Sequence, residues 1–155
     1  MTFHQDLEFG ENNERLVLKK VQVKYPKAYK VEGYCKDWDI YIPEKKIGIE
    51  VKSDRLSHET GNVAIECAYG GEPSGIEATR AAWWVYITKC HLYWILTEKI
   101  RECIKDNDLK PVHLPPVGQD YKSKDLYLIK FSLISILSIK ESLFFMDDNL
   151  HPYHR

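Results

Sequence analysis

A single mixed α/β domain is expected from this sequence, with elements in the order α-β-β-β-α-β followed by C-terminal additions. Three observations predict it. The chain has 155 residues and is 44% hydrophobic, which is the size of one domain and enough to bury a core. Period-two alternation recurs in short stretches, most clearly in Asp39-Ile-Tyr-Ile-Pro43 and Ile47-Gly-Ile-Glu-Val-Lys52. Helix signals stand on both sides of that alternation. No internal repeat, low-complexity tract or linker divides the sequence, so residues 1–155 read as one unit. Its core spans roughly 11–100, its C-terminal elaboration 101–147, and its frayed tail 148–155.

Each element has a local reason. Glu11 to Gln22 reads as a helix whose apolar side carries Val17, Leu18 and Val21, with Glu14 on that same stripe. Pro26 ends it. A short strand is expected around Ala28 to Tyr34. The two alternating stretches, joined by the polar turn Glu44-Lys45-Lys46, form a β-hairpin with Ile47, Ile49 and Val51 on one face. Asn62 to Tyr69 alternates a third time. Ser74-x-x-Glu77 has the capping-box pattern that opens a short helix ending near Ala82. Trp83 to Thr88 and Leu92 to Thr97 are two strands joined by a tight turn, and Thr97 caps a helix through about Lys105. Lys110 to Ser123 is a Pro- and Gly-rich loop. Lys124 to Leu133 is a last strand, followed by a helix or irregular segment to Phe145.

Composition excludes several classes. Lys and Arg number 22 against 23 Asp and Glu, so a net charge of -1 argues against a uniformly basic nucleic-acid coat. Aromatic residues at 12% and balanced charge argue against disorder. No apolar run reaches the roughly 18 to 20 residues of a membrane span. Met1 to Phe9, with His4, Asp6 and Glu8, lacks the basic and apolar regions of a signal peptide. A cytoplasmic protein with no membrane partner is expected. Cys35, Cys67, Cys90 and Cys103 are scattered and read as reduced and structural. His151 and His154 are separated by Pro152 and read as non-ligating.

The hairpin carries the chemistry. Glu50 and Lys52 share the strand face opposite Ile49 and Val51, a face expected to be solvated or functional. Asp39 opens the partner strand, within reach of Glu50. Two carboxylates at short range repel unless a cation lies between them, and such oxygen donors suit Mg²⁺ or Mn²⁺. An ammonium beside that metal orients a water and stabilises charge on an attacked phosphate. A Glu-x-Lys on a strand is otherwise a solvated face with a weak ion pair.

Asp39, ten intervening residues, and then Glu50-x-Lys52, behind a helix bearing Glu14, resembles the PD-(D/E)XK nuclease superfamily, particularly its small phage- or plasmid-type members. Glu59-Thr-Gly-Asn62, Glu66, Pro73-Ser-Gly-Ile76 and Thr79-Arg-Ala-Ala-Trp83 add to the likeness, which covers roughly residues 11–100. The resemblance implies a restriction-endonuclease-like domain with a mixed central sheet, and a Mg²⁺-dependent endonuclease or resolvase-like activity on DNA, with Mn²⁺ able to substitute. It implies that Asp39 and Glu50 hold the metal and that Lys52 positions the attacking water. Glu14 matches the acid that many members place on the first helix; a carboxylate on an apolar stripe needs a partner such as a metal or a lysine. Trp38 stands where members commonly have proline. Asp37 shares a face with Asp39 and is the alternative ligand, although Ile40 and Ile42 continue directly from Asp39 into the core.

Secondary signals surround this set. Glu66 lies between Ala64 and Ala68, whose small side chains leave room for a ligand. Ser74, Thr79 and Arg80 cluster at the start of the second expected helix, a natural phosphate contact. Lys19 and Lys20 belong to a basic stretch from Arg15 to Lys30 able to track phosphates, or to be a solvated helix face. Trp83, Trp84 and Trp94 read as core, with base stacking the alternative. Cutting both strands of a duplex takes two active sites, which admits a homodimer, though no heptad or other oligomer signature marks one. The competing function is a catalytically silent nucleic-acid-binding or assembly module that retains the nuclease fold.

Overall fold

A computed structural model describes residues 3–54, 56–118 and 121–143. The tail at 148–155, with its two histidines, lies outside the described residues. The chain is mixed α/β, with one mixed sheet, one antiparallel sheet and several helices. The first sheet runs in the order β1 (Tyr29–Lys30), β2 (Ile40–Ile42), β3 (Ile47–Ser53), β6 (Trp83–Ile87), β7 (His91–Leu96) and β10 (Ile139–Ser142). The second runs β5 (Glu72–Pro73), β4 (Asn62–Tyr69), β9 (Lys124–Lys130) and β8 (Val112–Leu114). Among the described residues four helices accompany them: α1 (Phe3–Lys24), α2 (Ser57–Thr60), α3 (Thr97–Asp106) and α4 (Phe131–Leu137). Among the described residues no helix is long and apolar enough to cross a membrane.

Helix α1 begins earlier than the apolar stripe indicated and stops at Lys24, because the residue before Pro26 is disfavoured in helical conformation. Its Val17 and Val21 bury against Ile40, Ile42, Ile49, Val51 and Val85, forming a core on one side of the first sheet. β2 and β3 pair antiparallel as the hairpin pattern required, with Ile40 opposite Ile49 and Tyr41 opposite Gly48. β3 then pairs in parallel with β6, placing Glu50 beside Trp84 and Lys52 beside Tyr86.

Two expectations are corrected here. The third alternating strand, β4, does not extend the hairpin sheet. It pairs with β9, some sixty positions later, and with β5, because Val63, Ile65 and Cys67 bury against Trp84, Tyr86, Ile100, Ile129 and Ile134 to form a second core between the sheets. The helix expected over 74–82 is only a 3-10 turn, Gly75–Glu77. The Ser74 hydroxyl gives the turn no cap; it donates instead to the Glu66 carboxylate. Gly75 sits at φ +49°, a left-handed conformation that an α-helix does not continue. The α-β-β-β-α-β order therefore holds for α1 and the hairpin, while the crossover to β6 runs through the second sheet and this turn.

Candidate functional site

The site grows from the end of the hairpin. Just before β2, the Asp39 N–H donates to the Ile49 carbonyl at 2.9 Å, and the Asp39 Oδ2 accepts the Val51 N–H at 2.7 Å. These two bonds hold Asp39 against the residues on either side of Glu50. Asp37 is turned elsewhere. Its carbonyl accepts the Arg80 N–H and the Thr79 hydroxyl, and its carboxylate lies 4.0 Å from the Arg80 guanidinium.

Glu50 is not on a solvated face. The second sheet covers that side of β6 and β7, and Glu50 is 7% exposed. Its Oε1 receives the Lys52 ammonium at 2.7 Å, and the Thr79 hydroxyl stands 3.4 Å from its Oε2. Burial, reinforced by the like charge of Asp39, pushes the Glu50 carboxyl above the ordinary glutamate range, against the pull of Lys52 and Thr79. Lys52 keeps 42% of its side chain exposed, and its ammonium lies 5.7 Å from the centre of the Trp84 ring. Burial opposes that charge, but the fields of Glu50, Asp39 and Glu66 outweigh it and leave the Lys52 pKa above the usual lysine value.

Glu14 is drawn to the other side of the sheet. Lys30 of β1, which faces α1, pairs with it at 3.1 Å, supplying the lysine partner that a carboxylate on an apolar stripe demands. Partial burial raises the Glu14 carboxyl, and Asp39 adds to the rise while Lys30 lowers it. Glu14 thus shares a field with Asp39, and Asp39 in turn shares one with Glu50 and Lys52.

The expected phosphate contacts are rearranged. Ser74 and Thr79 are buried and engaged with Glu66, Asp37 and Glu50, so no helix N-terminus presents them to a phosphate. Arg80 is exposed, as is Lys19. Lys20 is tied to Glu141 of β10. Trp84 is core, and its ring forms the floor beneath Lys52. All four cysteines are free thiols, and burial raises those of Cys67 and Cys103. A cavity of about 320 Å³, walled by Val21, Tyr25, Ile49, Trp83, Trp94 and Ile139, opens on the α1 side and includes none of Glu14, Asp39, Glu50 and Glu66.

Sequence reasoning missed Thr79 as the partner of Glu50. The contact spans 29 positions, and no local periodicity signals it. Among the described residues no group of three His, Cys, Asp or Glu side chains is gathered closely enough to hold an ion unaided. Asp39 and Glu50 nevertheless match Mg²⁺, a hard cation that keeps several waters and is commonly held by one or two carboxylates plus substrate phosphate. No family model, curated protein or solved structure matches this chain.

Proposed function

We propose that this chain is a Mg²⁺-dependent nuclease of the restriction-endonuclease-like type that hydrolyses DNA phosphodiester bonds. One observation carries the reading: Asp39 is bonded to the residues flanking Glu50, and Lys52 meets Glu50 from two residues along the same strand face. Asp39 and Glu50 would hold the metal, with Mn²⁺ an acceptable substitute. Held there, the ion would supply Lewis-acid chemistry, making water more acidic and offsetting charge on the phosphate.

The chain's own groups do the rest. Lys52 has a raised pKa and stays cationic at neutral pH, so it orients the attacking water and stabilises charge on the phosphate. It is not a neutral base. Thr79 restrains the second Glu50 oxygen. Water adds to phosphorus, one P–O ester bond breaks, and the products are a phosphomonoester and a free hydroxyl. Glu14, held by Lys30, acts on this set only through its field at Asp39.

Incubation with plasmid, linear, branched and single-stranded DNA tests the reading. Cleavage is expected with Mg²⁺ or Mn²⁺, and none in EDTA. Glu50→Ala and Lys52→Ala should each lower the rate by about 100-fold or more. Unchanged cleavage in both variants would overturn the assignment. The engagement of both Glu50 oxygens by Lys52 and Thr79 also suits a silent binding module, which predicts no Mn²⁺ affinity dependent on Asp39 and Glu50.

A further inference from the structure

The sheet face that bears Glu50 and Lys52 is covered unevenly. Over β6 and β7, Trp84, Tyr86, Tyr93 and Ile95 are buried beneath the second sheet. Toward β1 the same face carries a row of aromatic rings. Tyr29 pairs with Tyr41, and Tyr41 pairs with Gly48. Gly48 lies two residues before Glu50, so all of these share its face. Trp38 fills the space over Gly48; a Cβ there would come within 2.6 Å of the Trp38 side chain. The Trp38 and Tyr41 rings stack with centroids 4.9 Å apart and planes 24° apart. Tyr29 meets Tyr41 edge-on at 5.9 Å. None of the three belongs to either hydrophobic core, and Tyr29 is 49% exposed.

Trp38 and Tyr41 each spend one ring face on the other and Trp38 also covers Gly48, but packing leaves the half-exposed Tyr29 ring at the end of the row unexplained. A partly exposed row of aromatic rings that ends on Tyr29 and continues to a pair of carboxylates is suited to unstacked bases, which bind by stacking on aromatic rings. Duplex bases are already stacked on one another and cannot use it. Charge agrees. Exposed Lys36 and Arg80 flank the row, Arg80 through its backbone bond to Asp37, and can meet a strand's phosphates. Glu32 and Asp37 on the same loop temper that attraction, so stacking must supply much of the binding.

We infer that Tyr29, Trp38 and Tyr41 form a base-stacking platform, and that single-stranded nucleic acid is the substrate class of this site, an inference that rests on the nuclease reading. The strand lies along the platform with its bases on the rings, and its backbone runs toward Asp39 and Glu50.

Fluorescence anisotropy with labelled oligo-dT, oligo-rU, an abasic strand and a duplex of equal length, all in EDTA, reads the platform without cleavage. The base-bearing single strands should bind more tightly than the abasic strand and the duplex, and the tighter of the two names the preferred sugar. Tyr29→Ala should weaken them about tenfold, whereas Tyr29→Phe should retain affinity. Tyr29 is half exposed, so an unchanged melting temperature certifies the comparison; Tyr41→Leu is the second variant. Equal affinity for the abasic strand or the duplex, or no loss in both variants, overturns the inference. The two readings fail separately. Ring-dependent binding with no Mg²⁺-dependent cleavage sinks the nuclease and keeps the platform. Duplex cleavage indifferent to the rings sinks the platform and keeps the nuclease.

Discussion

Glu50 is a carboxylate that folding must bury, and its raised pKa expresses the cost. A carboxyl whose folded pKa exceeds its unfolded value contributes stability fully below the ordinary value of 4.5. That contribution is lost as pH rises through the folded pKa. Glu50→Gln should therefore abolish cleavage while flattening the fall in stability between acid and neutral pH; urea denaturation at both ends of that range measures it. Site residues that oppose folding are a recurring property of functional positions. Gly75 makes the converse case. At φ +49° its added Cβ would lie 2.2 Å from the Glu66 carbonyl oxygen. Gly75→Ala should cost roughly 2–5 kcal/mol in urea titrations, from left-handed strain and overpacking together. Glu50 and Lys52 were legible at this scale because strand alternation assigns faces. Thr79 was not, because its hydroxyl reaches Glu50 only after the turn at 75–77 has folded onto β4.

Among elements, the hairpin and the strand pair β6 and β7 followed from local alternation; α3 does begin at Thr97, but Thr97 is its first residue and not its cap, Leu96 holds the cap position, and no side chain caps the helix. The element read least accurately was the stretch from 74 to 82. A capping-box pattern is a weak local preference, and two tertiary contacts override it: Ser74 spends its hydroxyl on Glu66, and Ile76 is buried in the core between the sheets. That core also decides where β4 belongs. Ile129 of β9 is fully buried within it and pairs with Val63 of β4. Ile129→Ala should destabilise the protein by about 2–5 kcal/mol and, by loosening β4, shift the turn that carries Thr79. Denaturant midpoints give the first effect, and a larger loss of cleavage than of stability at low denaturant gives the second.

At the scale of the molecule, the net charge of -1 conceals a pair of carboxylates at one site and bases that are already paired. Lys20 binds Glu141 and Lys30 binds Glu14, so the basic stretch from 15 to 30 is partly neutralised. Affinity for a single strand should depend only weakly on salt, with a log–log slope on the order of -2 if about three cations meet phosphates; anisotropy across a salt series checks it. Raised carboxyl pKa values at Glu50 and Glu14 also set the acid limb. Protons compete with the metal, so Mg²⁺-dependent cleavage should begin to fail at a pH above the ordinary glutamate value of 4.5, and added Mg²⁺ should move that limb downward. A limb insensitive to Mg²⁺ would count against metal binding at these carboxylates.

Local pattern in the chain was enough for the mixed α/β class, the helix before Pro26, the hairpin from Asp39 to Lys52 and the shared face of Glu50 and Lys52. Those features depend on the 3.6- and 2-residue periods and on proline, all of which act within a few positions. Long-range packing alone sends β4 to a second sheet, pairs Glu14 with Lys30, turns Ser74 and Thr79 inward, and lines up Tyr29, Trp38 and Tyr41 beside the carboxylates. Each depends on residues brought together from distant parts of the chain by burial of apolar surface, a force with no preferred sequence separation.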